Sequence, residues 1–286
     1  MGVTFGCCLS VGSFVPQSGN ESAAGGAIPA RIREGLSRLA DCGYDFAELT
    51  VQSVAGLTDS EYEELQRVID DSPIKVPVLN SFIPGHLNIT GNQTPDRELE
   101  AFVVLAMERV KGIGASQIVF GSGKARSLPE GFPLEQGMEQ IKAFLRLCNK
   151  LGAQHGITIA IEPLNRKESN VINRVSEAVA LAGELNLPQI KVLADSYHMD
   201  LENESFDSLH AAIKDGWISH VHISGRNRKF PGTESSADER IDFAALFRVL
   251  QEAGYTGAVS AECSSSRFAE DCAASLKAVK EMWQGR

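Results

Sequence analysis

Eight times along the 286-residue chain, a short apolar run with strand character gives way to a longer stretch with helical spacing, and this alternation constrains the fold more than any other feature. "TFGCCLSV" precedes a helical pattern over about 28–41. "FAELTV" precedes a helix opening at Asp59, where D-S-E-Y-E places acids in the first turn, the favourable end of the helix dipole. "IKVPVLNS" leads through a Pro84-Gly85 loop to a helix over about 96–111. "SQIVFGSG" precedes "LEQGMEQIKAFLRLCNKLGAQHG", whose Gly156 suits a helix stop. "ITIAIE" precedes a helix over 175–185, and "IKVLAD" a short one near 206–213. "ISHVHIS" precedes "DFAALFRVLQEAGY", and "GAVSAE" a last helix over 268–283. Near-continuous apolar strands of this kind are buried on both faces, as in parallel sheets covered by helices. Eight βα units without a linker or low-complexity segment fit one (β/α)8 barrel spanning 1–286. A doubly wound open sheet is the competing architecture, but the Gly-x-Gly-x-x-Gly turn it predicts after the first strand is missing.

A barrel places chemistry at the C-terminal ends of its strands. In the second half of the chain every strand carries an ionisable residue there: Glu162 on strand five, Asp195 on six, His220 and His222 on seven, and Glu262 on eight. Pro163 ends the hydrogen bonding of strand five and confines Glu162 to extended backbone. The two histidines face the same side, with His222 about 7 Å nearer the exit. His222 is therefore the candidate for the mouth and His220 for a buried supporting role. Three carboxylates and a histidine at one opening repel unless neutralised, and a divalent cation does this economically. Oxygen and nitrogen donors without a thiolate favour Mn²⁺, Mg²⁺ or Co²⁺, with Zn²⁺ also compatible. A single acid at a strand end is more often a helix cap, and a single His a core residue; four consecutive strands doing the same are harder to explain that way. Beyond these, Glu168, His198 and Arg228 lie on the loops over the opening and suit substrate hydroxyls, although Glu168 or Arg228 alone reads equally as a solvated charge.

Charge and composition exclude other classes. A net charge of −10 opposes generic binding to nucleic acid or anionic membrane, and with only six histidines argues against a zinc-cluster endonuclease acting on DNA. The N-terminal segment shows neither a basic region nor a long apolar run, so no signal peptide, membrane partner or transmembrane span is expected. Six cysteines without zinc-finger or C-x-x-C spacing are expected as free thiols in the cytoplasm.

The segments "IAIEPLNRKE", "VLADSYHMD", "HVHISGRNR" and "GYTGAVSAE" resemble the sugar isomerases and epimerases of the xylose-isomerase-like TIM barrels, above all the ketose 3-epimerases acting on D-tagatose and D-psicose. The resemblance implies metal ligands Glu162, Asp195, His222 and Glu262, and substrate contacts Glu168, His198 and Arg228. It implies a ketose or ketose phosphate as partner, and a homo-oligomer. Glu162 and Glu262 would then be the catalytic pair, passing a proton off one face and onto the other face of a metal-stabilised enediolate. The same parts would serve an aldose–ketose isomerase, a lyase or dehydratase on a keto-sugar, keto-inositol or glycoside, or a non-catalytic sugar-binding barrel.

The chain also departs from this pattern. After His222 the family continues with a small residue, glycine and glutamate, whereas here Ile223, Ser224, Gly225 and Arg226 follow, placing an extra arginine near the pocket. "TESSADE" (233–239) lengthens the next loop, and "IPGHLNITG" (83–91) looks more like the sugar-phosphate isomerase-like relatives. "SSSR" (264–267) stands where barrels often bind phosphate, but ordinary helix capping is the favoured reading.

Overall fold

A computed structural model describes residues 2–9 and 28–285; the last two residues of "TFGCCLSV" fall outside them. Eight parallel strands close in sequence order: β1 (Thr4–Cys8), β2 (Phe46–Thr50), β3 (Lys75–Asn80), β4 (Gln117–Phe120), β5 (Thr158–Ile161), β6 (Ile190–Asp195), β7 (Ile218–Ile223) and β8 (Ala258–Ala261). Pairing of Thr4 with Ala258 and of Cys7 with Ala261 completes the ring. The expected (β/α)8 barrel is the observed architecture.

The major helices follow the sequence reading closely: α1 (Ile28–Cys42), then, after a short α2 (Val51–Ala55), α3 (Asp59–Asp70) and α4 (Asp96–Gly112). A short α5 (Gly123–Arg126) comes before α6 (Leu134–His155), and α7 (Val175–Leu185) follows β5. After β6 come α8 (Ser196–Leu201) and α9 (Leu209–Lys214), then α10 (Phe243–Glu252) and α11 (Phe268–Trp283). α3 opens with a capping box one residue earlier than its first acid: Thr58 Oγ1 accepts from Glu61 N–H, and the Glu61 carboxylate accepts from Thr58 N–H at 2.8 Å. α6 stops at Gly156, whose φ of 69° is left-handed. Three short helices, α2, α5 and α8, were not anticipated; α2 and α8 directly follow a strand, α5 begins after Gly121 and Ser122, and all three contribute residues to the barrel mouth. Their few residues carry too little periodicity to register in sequence. No helix among the described residues is long and apolar enough to cross a membrane.

Strand alternation divides the core. Ile118, Phe120, Ile159, Ile161 and Val192 pack outward among the helices, while Val78, Val119, Ala160 and Leu193 form a separate buried cluster inside the barrel. The other half of the interior is polar: Glu48, His220, His222 and Ser260 have no solvent exposure. Gly6 makes room there, because a Cβ at that position would lie 2.2 Å from the Phe46 ring.

Candidate metal-centred active site

The four strand-end residues converge. Glu162 follows β5 directly, its N–H donating to Phe120 O at 3.1 Å, and Glu262 follows β8, its N–H donating to Ile223 O at 3.0 Å. Asp195 closes β6 in register with His222 on β7. One ligand atom each from Glu162, Asp195, His222 and Glu262 falls within 4.8 Å of all the others. Glu162 Oε1 and His222 Nδ1 are buried, 3.4 Å apart, and neither has a hydrogen-bond partner. Orphaned buried acceptors are costly. A divalent cation bound by three carboxylates and one imidazole satisfies both, so these residues fit the expected metal. Asp195 is a helix cap as well as a candidate ligand: its Oδ1 accepts from Tyr197 N–H at 2.7 Å at the start of α8.

Behind His222 lies a residue that sequence reasoning missed. Glu48, on β2, reaches His222 Nε2 at 3.0 Å and His220 Nε2 at 2.9 Å, and Ser260 Oγ sits 3.2 Å from the latter nitrogen. With Nε2 committed to Glu48, Nδ1 of His222 is left to face the cluster, which is how an outer carboxylate orients a ligating imidazole. The signal was an acid inside the apolar run "FAELTV", where a strand buried on both faces leaves a charge no solvent. His220 takes the buried supporting place expected of it.

Burial alone would raise the Glu48 carboxyl, yet the imidazoles of His222 and His220 hold it well below the usual carboxylate range. Burial alone would lower His222, yet the carboxylates of Glu48 and Glu262 carry it well above the ordinary imidazole value. Cys8 stands near both groups, but burial pushes its thiol up and keeps it protonated, which disfavours a thiolate ligand. Metal binding must displace the His222 proton. Apparent Mn²⁺ affinity is therefore expected to rise by up to about tenfold per pH unit across the range where His222 is protonated. Calorimetric titration at several pH values, in buffers of different ionisation enthalpy, checks this; pH-independent affinity without proton release contradicts it.

Arg228 ties the cluster to the pocket. Its Nη1 lies 2.8 Å from Asp195 Oδ2 and 2.7 Å from Glu262 Oε2, and its Nη2 lies 3.0 Å from His198 Nε2. The guanidinium stacks over Tyr197, 4.2 Å from the ring centroid. Asn227 and Arg228 hold this position in left-handed backbone, with φ of 59° and 56°, a strained conformation of the kind that collects at functional sites. Burial would raise Asp195, but Arg228 and His198 bring its carboxyl down to about 2. Burial likewise opposes ionisation of Glu262, which Arg228 and His222 reverse, lowering it. For Glu162, burial and the neighbouring Glu262 charge outweigh His222 and His198 and raise it. The two glutamates thus sit in environments that push them apart.

His198 Nδ1 accepts from Asn165 N–H at 3.1 Å, which leaves Nε2 facing Arg228 and the opening; Glu168 accepts from Asn165 Nδ2 at 2.8 Å. All three expected substrate contacts, Glu168, His198 and Arg228, line one cavity of about 370 Å³ together with Glu162 and Glu262. Among the lining residues that were not foreseen are Asn80 at the end of β3, whose Nδ2 donates to Glu262 Oε1 at 3.3 Å, and Lys124 on α5. Arg226 does not join them. It pairs with Asp200 at 2.7 Å, exposed, so the expectation of an extra arginine near the pocket is corrected. In the "SSSR" segment Ser265 Oγ accepts from Arg267 N–H at 2.8 Å just ahead of α11, but the N-cap of that helix, Arg267, makes no side-chain capping bond, so the expected helix capping is corrected.

The sequence matches the family described as Xylose isomerase-like TIM barrel over residues 36–282. The chain belongs to that family. Among curated relatives it is 26% identical over 242 residues to 3-dehydro-D-guloside 4-epimerase of Escherichia coli, covering 81% of this chain and 87% of that one. It is 25% identical over 237 residues to D-psicose 3-epimerase of Agrobacterium fabrum, covering 79% and 77%. The crystal structure of D-allulose 3-epimerase from a Methylomonas species, in complex with D-allulose, superposes with a TM-score of 0.81 at 18% identity, covering 98% of this chain and 97% of the other.

Proposed function

We propose that this chain, an enzyme of the sugar isomerase and epimerase class, inverts a carbon next to the carbonyl of a ketose or ketose phosphate by proton transfer between Glu162 and Glu262. The observation that carries the reading is that these two carboxylates, delivered by different strands, line one cavity and also belong to one four-residue ligand cluster. A divalent cation held by Glu162, Asp195, His222 and Glu262, with Mn²⁺ the first choice, would supply Lewis-acid polarisation of the substrate carbonyl.

The rest is the work of side chains. Polarisation makes the neighbouring C–H acidic enough for one glutamate to remove its proton, leaving the electron pair delocalised onto the carbonyl oxygen as an enediolate. That intermediate is planar at the reacting carbon. Return of a proton by the other glutamate, from the opposite face, gives the inverted carbon and restores the carbonyl. Arg228, fixed by Asp195, Glu262 and Tyr197, holds positive charge where negative charge develops on oxygen. His198 Nε2 and the Glu168 carboxylate are placed to orient substrate hydroxyls and set the carbon under attack.

A keto-glycoside is the second substrate reading, favoured by the similarity to 3-dehydro-D-guloside 4-epimerase over 87% of that enzyme's length. The chemistry is the same up to the enediolate, and elimination of a β-substituent would turn it into a lyase. Lys124 bears on the phosphorylated alternative: it lines the cavity and has no ion pair among the described residues. Mn²⁺-loaded protein offered free ketoses, ketose phosphates and 3-keto-glycosides, with products resolved by NMR, tests the proposal. Formation of an epimer supports it; elimination products only, or no turnover on any class, contradict it. If the substrate is a ketose phosphate, Lys124→Ala is expected to raise KM about tenfold or more for it, consistent with loss of one charged hydrogen bond, and to leave KM for the free sugar unchanged.

A further inference from the structure

Arg126, the last residue of α5, is the largest fully buried side chain among the described residues, with 0% exposure. No carboxylate among the described residues forms an ion pair with it, and its Nε has no hydrogen-bond partner. Nη1 donates to Phe120 O at 3.1 Å and Nη2 to Ile172 O at 3.3 Å, with the guanidinium 5.6 Å from the Phe120 ring centroid. A lone buried cation is a poor way to stabilise a fold, since an apolar side chain of similar volume usually serves as well or better.

What the guanidinium holds is informative. Phe120 O is the same carbonyl that accepts Glu162 N–H at 3.1 Å, and Ile172 O is the same carbonyl that accepts Leu164 N–H at 3.1 Å. Glu162 and Leu164 flank Pro163, which has no N–H of its own. These two bonds are therefore the backbone anchors on either side of the proline, and Arg126 ties their acceptors together. Ile172 is held at φ 58°, a left-handed conformation that a β-branched residue adopts only under constraint. The Glu162 carboxylate is seated directly on the exit of β4, because a Cβ at Gly121 would lie 2.4 Å from Glu162 Oε2. Burial pushes Arg126 down to about 10, with Glu162 the neighbour that opposes the shift, so it remains a cation at neutral pH behind that glutamate.

We infer that Arg126 is a positioning residue: by joining the Phe120 and Ile172 carbonyls, its guanidinium fixes the backbone on both sides of Pro163 and thereby aims the Glu162 carboxylate into the site. This rests on the reading that Glu162 serves the metal and the proton transfer. Methionine at 126 keeps length and bulk without donors. Lysine keeps the charge but places a single ammonium where two carbonyls need separate donors.

The test compares Arg126→Met and Arg126→Lys with the parent by melting, Mn²⁺ dissociation constant, kcat and KM, and peptide-level amide exchange over 162–172. In both folded variants Mn²⁺ binding is expected to weaken about tenfold or more, as for other outer partners of metal ligands. We expect kcat to fall about tenfold while KM moves less than about threefold, and exchange to rise across 162–172 but not in α10 or α11. A folded variant with parental metal affinity, kcat and exchange overturns the inference. So does a variant that melts earlier but matches the parent in these readouts once folded. If Arg126→Met fails to fold, Arg126→Lys decides by the same measures. A parent that binds no Mn²⁺ and turns over nothing refutes the proposed function instead, and amide exchange at 162–172 still decides the role of Arg126.

Discussion

Replacing Glu262 by glutamine is expected to lower kcat by about 10²- to 10⁴-fold while the barrel stays folded, the range associated with loss of a positioned acid–base group. The amide has the same shape as the carboxylate, and its carbonyl oxygen can still accept from Asn80 Nδ2, now at 3.3 Å from Glu262 Oε1. What it cannot do is take up or return a proton, or offset the guanidinium of Arg228 at 2.7 Å. Arg228 keeps Asp195 as a partner at 2.8 Å, so no charge is left wholly unpaired and the melting temperature is expected to move by only a few degrees. Steady-state kinetics with Mn²⁺ present, alongside melts of the same preparations, separate the two effects. Parental activity in a folded Glu262→Gln variant would remove this residue from the mechanism.

The second large effect concerns Glu48. Its carboxylate is fully buried between His220 and His222, and Glu48→Ala leaves both imidazoles without their shared acceptor. Breaking a buried pair by removing one member costs about 3–5 kcal/mol, and removing an outer carboxylate from a metal-ligating histidine costs about 10- to 100-fold in metal affinity. The pH dependence gives a sharper signature. The folded-state pKa of Glu48 is depressed, so its contribution is present above the unfolded carboxylate value and lost as pH falls toward the folded one. The folded-state pKa of His222 is raised, so its contribution is present below the unfolded imidazole value and lost as pH rises through the folded one. In EDTA, the parent is expected to lose stability on both the acid and the alkaline side. In Glu48→Ala the alkaline limb is expected to shrink, because His222 no longer has the partner that most raises it. Denaturant titrations from acid to mildly alkaline pH check this, and an unchanged alkaline limb would contradict the pairing.

The barrel was legible in the sequence because each strand is a buried apolar run and each long helix has an amphipathic stripe, the two periodicities that burial imposes. The candidate ligand cluster was legible for a related reason. An ionisable residue that ends an apolar strand interrupts the pattern, and Glu162, Asp195, His222 and Glu262 do so on consecutive strands. Glu48 was harder to read because it lies in the middle of β2 rather than at its end, and Asn80, although it ends β3, carries no charge. The remaining features were not readable. Arg126 and Lys124 lie on a four-residue helix with no periodicity, and what makes Arg126 notable is a contact with Ile172, 46 positions along the chain. Arg226 and Arg228 are two residues apart on one loop, yet Asp200 captures the first and Asp195 the second. That choice follows from the left-handed turn at Asn227 and Arg228, which residue type alone does not specify.

The most direct test of proton transfer at this site is turnover in D₂O with Mn²⁺, followed by NMR at each carbon of the recovered sugar. Deuterium at the carbon next to the carbonyl, in the inverted product, absent after EDTA treatment and absent in Glu262→Gln, is the expected result. Inversion without deuterium at that carbon, or exchange that persists in EDTA, would contradict the account.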